Sequence, residues 1–449
     1  MVARQRGTMS RRMGAGRWRG SLVSFIIIVL IAFICPVVPV SAEEGTVKLR
    51  DLLREALQNN TEIQALAARA QAAEHRIPQA KSLADPMFMI GYENEGTSNL
   101  YTFNKDIDGM PADSRWMFSL SQMLPYPGKR ALKGDMAASD AESQKAMIEA
   151  ARFNTVVRVK ELYYDLFLAY TNIDLLRDKA VLFSRTEDAA VARYAAGMAP
   201  QQEVLMAQTE KYMLLEREKM EQQKIKSLEA MLNAVLGREG GAPLGGRPEK
   251  PAYLPYGNGM DELLKMSYEK NPMIKFREKM VDAAASKVQM ARKEYYPDFT
   301  LGGTYFGRGD QLPDMWNVTA TINLPIFYKK KQNQGVLEAQ ASLLEARKDV
   351  ETTKLMVVSS LQDNYSMLKT AESLMTLYKE GLLPKAYQDF ELALAGYTTG
   401  KVEAITVITR LKAVIDNEFL YWAQLAQREK AMARIEGVAG NLDYEGLGK

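Results

Sequence analysis

Between Gly128 and Gly197 the chain has no proline, and Gly134 is the only glycine inside the run. Nothing in that stretch stops a helix. The sequence therefore predicts one helix from just after Tyr126-Pro127-Gly128-Lys129-Arg130 to the turn Tyr194-Ala195-Ala196-Gly197. At about 1.5 Å per residue it would be roughly 100 Å long, whereas an ordinary globular helix has about eleven or twelve residues. Its second part carries apolar residues spaced by three and four: Val159, Leu162, Leu166, Ala169, Ile173, Leu176, Ala180, Phe183, Ala190 and Tyr194. This is a coiled-coil seam, interrupted at Glu187, where the spacing asks for an apolar side chain. A helix of this length reads as a stave in the wall of a tall hollow barrel.

The first residues read as an export signal over 1–42. Arg4, Arg6, Arg11, Arg12, Arg17 and Arg19 form a basic lead, Leu22 to Cys35 an apolar core, and Val40-Ser41-Ala42 a small-residue cleavage site before Glu43. The apolar core is short for about 20 spanning residues and is followed by Pro36 and Pro39, which argues against an uncleaved anchor. Arg11-Arg12 resembles a twin-arginine signal, but Gly14 and Ala15 stand where such signals carry apolar residues, so general export is expected. Cys35 is the only cysteine and is preceded by Ile34, so neither a disulfide nor a lipid anchor is expected.

The net charge of +3 includes those six arginines, which leaves the mature chain near neutral and gives no reason to expect a nucleic-acid partner. The single histidine, His75, reads as a solvated helix residue, not a metal ligand. No nucleotide-phosphate loop, metal-ligand cluster or triad-like arrangement stands out. Neither catalysis nor a cofactor is expected.

The mature chain repeats itself. Leu52-Leu53 and Asn60 recur as Leu263-Leu264 and Asn271, and Pro86 with Gly91 recurs as Pro297 with Gly302. At a shorter offset, Leu124-Pro125 recurs as Leu324-Pro325 and Tyr194-x-x-Gly197 as Tyr397-x-x-Gly400. Ordered matches of this kind indicate duplication. Each half reads as helix, two strands, long helix, turn and return helix: 43–236, then a Gly/Pro-rich linker over 237–259, then 260–449. The helices are expected near 48–83, 131–194 and 200–236, and again near 260–295, 330–395 and 402–436. Pro384 falls within the second long helix, where the first has Val181, so that stave should kink above its turn.

The four strands are expected near 86–94, 115–124, 298–306 and 316–324. Trp316, Val318, Ala320, Ile322 and Leu324 alternate with Asn317, Thr319, Thr321 and Asn323, and Phe88, Ile90 and Tyr92 form a similar apolar row. Runs of this length fit a tilted membrane strand, and equally a half-buried soluble sheet. Closure separates the two: the smallest barrels need about eight strands, and an open edge in lipid leaves backbone groups unpaired. Membrane strands must therefore be pooled between subunits, and a trimer gives twelve.

The duplicated helix–hairpin–helix plan, the Leu-Pro strand ends and the Tyr-x-x-Gly turns resemble the TolC family of outer-membrane efflux proteins, across essentially the whole mature chain. Ser121-Gln122-Met123-Leu124-Pro125 leading to Gly128-Lys129-Arg130 resembles the CusC and CzcC kind, which serve metal-cation exporters of the resistance-nodulation-division type. The resemblance implies a mainly α fold with a small β part. Long antiparallel coiled-coil helices would build an α-barrel across the periplasm, and four strands per subunit would pool into a trimeric twelve-stranded barrel in outer-membrane lipid. It implies a passive exit duct for metal cations or other small solutes, partnered by a periplasmic adaptor and an inner-membrane pump.

By the same resemblance, Tyr194, Gly197, Tyr397 and Gly400 mark the periplasmic tip that meets the adaptor, although the two glycines also serve simply to close hairpins. Family members narrow the tip with aspartates in a Gly-x-x-x-x-x-Asp-x-x-Asp pattern. Here the same count from Gly400 reaches Thr406 and Thr409, with Glu403 the nearest acid. The constriction is therefore expected to be neutral at those positions, with gating by helix rearrangement and Pro384 as the hinge.

Met87, Met89, Met110, Met117 and Met123 cluster near the first hairpin. Thioethers suit Cu(I), while flexible apolar packing is their plainer use. The rival to a duct is a periplasmic coiled-coil scaffold without a channel. Trp116 and Trp316 near strand starts, where membrane interfaces place aromatics, favour the duct.

Overall fold

The computed structural model describes residues 45–94, 106–107, 110–111, 114–253, 255–308 and 312–441. The export signal over 1–42, with Cys35, lies outside the described residues. The order is β1 (Thr46–Val47), α1 (Leu49–Asn59), α2 (Thr61–Lys81), β2 (Met87–Glu93), β3 (Asp106–Ile107), β4 (Met110–Pro111), β5 (Arg115–Leu124), α3 (Lys129–Ala195) and α4 (Gln201–Leu236). It continues with β6 (Arg247–Pro248), α5 (Met260–Lys270), α6 (Pro272–Lys293), β7 (Phe299–Gly307), β8 (Met315–Ile322), α7 (Gln332–Thr376), a π-helical turn (Leu377–Leu382), α8 (Leu383–Thr398) and α9 (Ala404–Ala439). Among the described residues no helix is long and apolar enough to cross a membrane.

The 67-residue α3 is the stave the sequence predicts, and it packs along α2, α4, α6 and α9. Its seam residues from Val159 to Phe183 are buried except Ala180, which is half-buried, whereas Tyr194 is exposed. At the polar interruption the seam takes Thr186, fully buried, in place of Glu187. The Thr186 hydroxyl donates to the Leu182 carbonyl at 3.1 Å, so its burial leaves no unpaired donor. Glu187 turns aside and accepts from Gln208 and Lys211 of α4, both at 3.1 Å, binding stave to return helix.

Each leading helix differs from the expected single element. It is two helices, split at Asn60 in the first half and at Asn271 in the second. The reason is capping: Asn60 Oδ1 accepts from the backbone N–H of Glu62 and Ile63, and Asn271 Oδ1 accepts from Met273 and Ile274. The amides also bind across the fold, Asn60 Nδ2 to the Val235 carbonyl at 2.9 Å and Asn271 Nδ2 to that of Val438 at 2.8 Å. The duplication is thus preserved down to single hydrogen bonds.

The second stave also differs. Where a kink at Pro384 is expected, a π turn precedes the proline, and Leu383 N–H reaches back to the Tyr378 carbonyl. Proline has no N–H to donate and its ring crowds the carbonyl four residues back, so the wider turn accommodates it. The buried series of this stave, Val357, Leu361, Asn364, Leu368, Ala371 and Met375, resumes beyond the π turn at Phe390, Ala393 and Tyr397, one residue later than a three–four spacing predicts.

β2, β5, β7 and β8 form one antiparallel sheet in that order. The register aligns Ile90 with Phe118, Phe118 with Tyr305, and Tyr305 with Trp316, so the apolar rows of all four strands share one face. This face is exposed: Phe88 is 66% and Trp316 77% accessible. β1 pairs in parallel with β6 of the segment between the halves.

The sheet is anchored to the helices through Lys129 at the start of α3. Its buried ammonium lies 3.0 Å from Asp298 at the foot of β7 and donates to the Tyr296 carbonyl at 2.9 Å. Asp298 accepts from the Tyr126 N–H at 2.8 Å as well, and Tyr126 stacks on Tyr296 with centroids 4.5 Å apart. Arg130 donates to the Lys81 carbonyl, tying in the end of α2.

Candidate functional site

Two regions stand apart from ordinary packing: the helical tip, where both staves turn, and the open sheet at the opposite end of α3.

At the tip the two turns have the same construction. Gly197 N–H donates to the Tyr194 carbonyl and Met198 N–H to that of Arg193, while Gly400 donates to Tyr397 and Lys401 to Gly396. Gly197 has φ 70° and Gly400 φ 75°, the left-handed conformation that closes a helix C-terminus. The side chains differ, however. Tyr194 is 48% exposed, whereas its counterpart Tyr397 is fully buried.

Tyr397 is held from two sides. The Arg193 guanidinium lies 4.5 Å from its ring centroid and donates to its carbonyl, and its hydroxyl donates to Glu203 of α4 at 2.7 Å. Arg193 Nη2 also donates to the Met198 carbonyl at 3.2 Å, so one cation fastens both turns. Burial, together with the Glu203 carboxylate, pushes the Tyr397 phenol well above its ordinary pKa, so its proton stays available for this bond. Sequence reasoning names the tyrosines and glycines but misses Arg193 and Glu203. Arg193 has no repeat signal, since the second half has Gly396 there and Val402 packs where a side chain would stand.

Glu403, Thr406 and Thr409 open α9. Glu403 is its N-cap residue and is exposed, Thr406 is half-buried and Thr409 is exposed. Their three-residue spacing puts them on one side of the helix. The Thr409 hydroxyl donates to the Ile405 carbonyl at 2.7 Å, which leaves only its lone pairs for the outside. Arg410 pairs with Asp389 of α8 at 3.0 Å, holding the first turns of α9 against the second stave. Pro384 is exposed two residues after the π turn ends at Leu382, on the stave leading to this region.

The sheet cannot be complete as it stands. Its outer strands, β2 and β8, each have one unpaired edge, and three antiparallel steps between them make β2 antiparallel to β8. An edge-to-edge meeting of two copies would therefore continue the same pattern. Among the described residues no group of three or more His, Cys, Asp or Glu is placed to hold a metal ion.

A family model described as "Outer membrane efflux protein" matches residues 52–238 and 263–440, one segment in each half. The cobalt-zinc-cadmium resistance protein CzcC of Cupriavidus metallidurans is 22% identical over 411 residues, covering 90% of this chain and 92% of the relative. Among solved structures, a membrane protein from Pseudomonas aeruginosa is similar at a TM-score of 0.76 and 18% identity, covering 87% of this chain and 90% of that one. The outer membrane protein VceC of Vibrio cholerae follows at 0.73 and 19%, covering 87% and 96%. A scaffold without a channel, the rival reading, is set aside by the family match. The chain belongs to the outer membrane efflux protein family: it is an exit duct of the outer membrane, the channel component of a tripartite efflux system, and not an enzyme.

Proposed function

We propose that three copies join β2 of one to β8 of the next, closing a twelve-stranded barrel, while their helices pool into one hollow cylinder through which metal cations leave. The observation that carries this is the four-stranded sheet with both edges open and one apolar face left uncovered along most of its length. An unpaired backbone group in lipid costs several kcal/mol, so a membrane sheet must close, and four strands cannot close alone. The exposed aromatic and aliphatic row faces lipid, and the Ser/Thr/Asn rows face the lumen.

The likeness to CzcC, whose name describes cobalt, zinc and cadmium resistance, supports metal cations as cargo. The pump is then of the resistance-nodulation-division type, reached through a periplasmic adaptor that meets the two turns at Tyr194, Gly197, Tyr397 and Gly400. Glu403, Thr406 and Thr409 line the narrowest part near the tip, and the π turn beside Pro384 is the hinge about which the second stave moves.

The test is to purify the protein from outer membranes in mild detergent and determine its mass and its conductance in planar bilayers. A conducting trimer is the expected result, and a monomer that never inserts overturns the duct. Blocking by divalent cations tests the constriction. Thr406→Asp/Thr409→Asp should be blocked more strongly than wild type, and equal block removes these residues from the narrowest point. Loss of cobalt, zinc or cadmium tolerance on deletion, restored by the intact chain, tests the cargo.

A further inference from the structure

Resting on the duct reading, we infer that the first-half strands carry a column of thioethers along the lumen wall that passes soft monovalent cations, copper(I) or silver(I), through the outer membrane. The sheet register places Met87 and Met89 on the face opposite the apolar row of Phe88 and Ile90. On β5 it places Met117 and Met123 opposite the row of Phe118 and Leu120. All four therefore sit on the polar, lumenal face with Ser119, Ser121, Thr300 and Thr319.

Packing within the subunit does not account for Met87 and Met89 there. Met87 is 63% and Met89 53% exposed, on a face that should be polar if it lines water. The duplication supplies an internal control. The second-half residues that correspond to Met87, Met89, Met117 and Met123 are Asp298, Thr300, Asn317 and Asn323, all polar. The fold thus accepts polar residues at every one of these positions, yet the first half has methionine at each.

Their placement brings the sulfurs towards one line. Gly91 stands opposite Met117 across the strand pair, and a Cβ there would come within 3.0 Å of the Met117 methyl carbon. The missing side chain lets Met117 lean across onto β2, next after Met87 and Met89 along that strand, at steps of about 7 Å. Beyond it, Glu93 is paired with Arg115 at 2.7 Å, which largely neutralises the carboxylate. Met315 is left out of the column, because its sulfur accepts from Arg308 at 2.9 Å.

Neutral thioethers are soft ligands that favour copper(I) over zinc-like or harder cations. Separate weak sites also suit a duct, where binding must be favourable enough to enter and weak enough to leave.

The experiment uses the full-length trimer purified in detergent, first checked for conductance in potassium nitrate, then dialysed against silver(I) or zinc(II) nitrate, with retained metal counted by mass spectrometry. Met87→Leu/Met89→Leu/Met117→Leu/Met123→Leu keeps volume and removes sulfur. Met89→Thr/Met117→Asn installs the second-half residues and is a second, smaller change should the first not assemble. Expected are silver retained by the wild type, lost from both variants at unchanged conductance, and zinc not retained. Silver retained equally by conducting variants, or not at all by a conducting wild type, overturns the thioether column and leaves the duct intact. A wild type that neither trimerises nor conducts overturns the duct itself, and this inference with it.

Discussion

Arg193 and Tyr397 stand at corresponding ends of the two staves, and the guanidinium of the first covers the ring of the second at 4.5 Å while donating to its carbonyl. Two turns made from duplicated sequence are thereby locked by an unduplicated residue. Tyr397→Phe keeps the ring and removes only the hydroxyl's bond to Glu203. With a charged acceptor the loss should be about 2 kcal/mol. Amide hydrogen exchange across the α3–α4 turn should rise, while the strands stay protected.

Acid should loosen the same hairpin higher up. The bonds from Lys211 and Gln208 hold the Glu187 carboxyl below its ordinary 4.5. A depressed carboxylate contributes stability above its unfolded value and loses that contribution as pH falls through the folded value. Thermal unfolding of wild type and Glu187→Gln should therefore differ most above pH 4.5, with the wild type more stable, and converge below it.

At the base of the sheet, Lys129→Met removes the cation between α3 and the foot of β7 and leaves Asp298 with the Tyr126 N–H but without its ion-pair partner. Breaking such a pair from one side costs about 3 kcal/mol when the remaining charge is largely shielded from water. The yield of assembled protein in outer membranes should drop, and Lys129→Met/Asp298→Asn should recover part of it.

Neighbouring residues on β2 should respond oppositely to the same change. Ile90→Arg puts a charge on the lipid face, at about 2–4 kcal/mol near mid-membrane, whereas Met89→Arg points into the lumen. Membrane insertion followed by heat-resistant trimer on gels should fail for the first and persist for the second.

The architecture was legible because its signals are long. A run of 67 residues without proline admits one structure, and four alternating rows fall into a single register in which every apolar row shares a face. What escaped depended on single polar atoms. Asn60 and Asn271 were visible as a repeated pair, but that each splits a helix follows from the side chain accepting two backbone N–H groups, which periodicity does not encode. Asn271-Pro272 carried the clue, since proline favours the first turn of a helix. Thr186 entered the seam because its hydroxyl finds a carbonyl on its own helix. Arg193 had no counterpart to advertise it.

The π turn before Pro384 has a consequence for how such chains change length. One surplus residue in a continuous α-helix rotates everything beyond it by about 100°, which would swing Phe390, Ala393 and Tyr397 out of the core. Here the buried series runs one residue late and the π turn takes up the surplus. The bulge thus keeps both flanking segments facing the same core. Removing Gly381 while replacing Pro384 by alanine should therefore yield an unbroken helix with the same buried residues. The second stave thus accommodates one residue more than its helical phase allows, where the first runs past Val181 as unbroken α-helix.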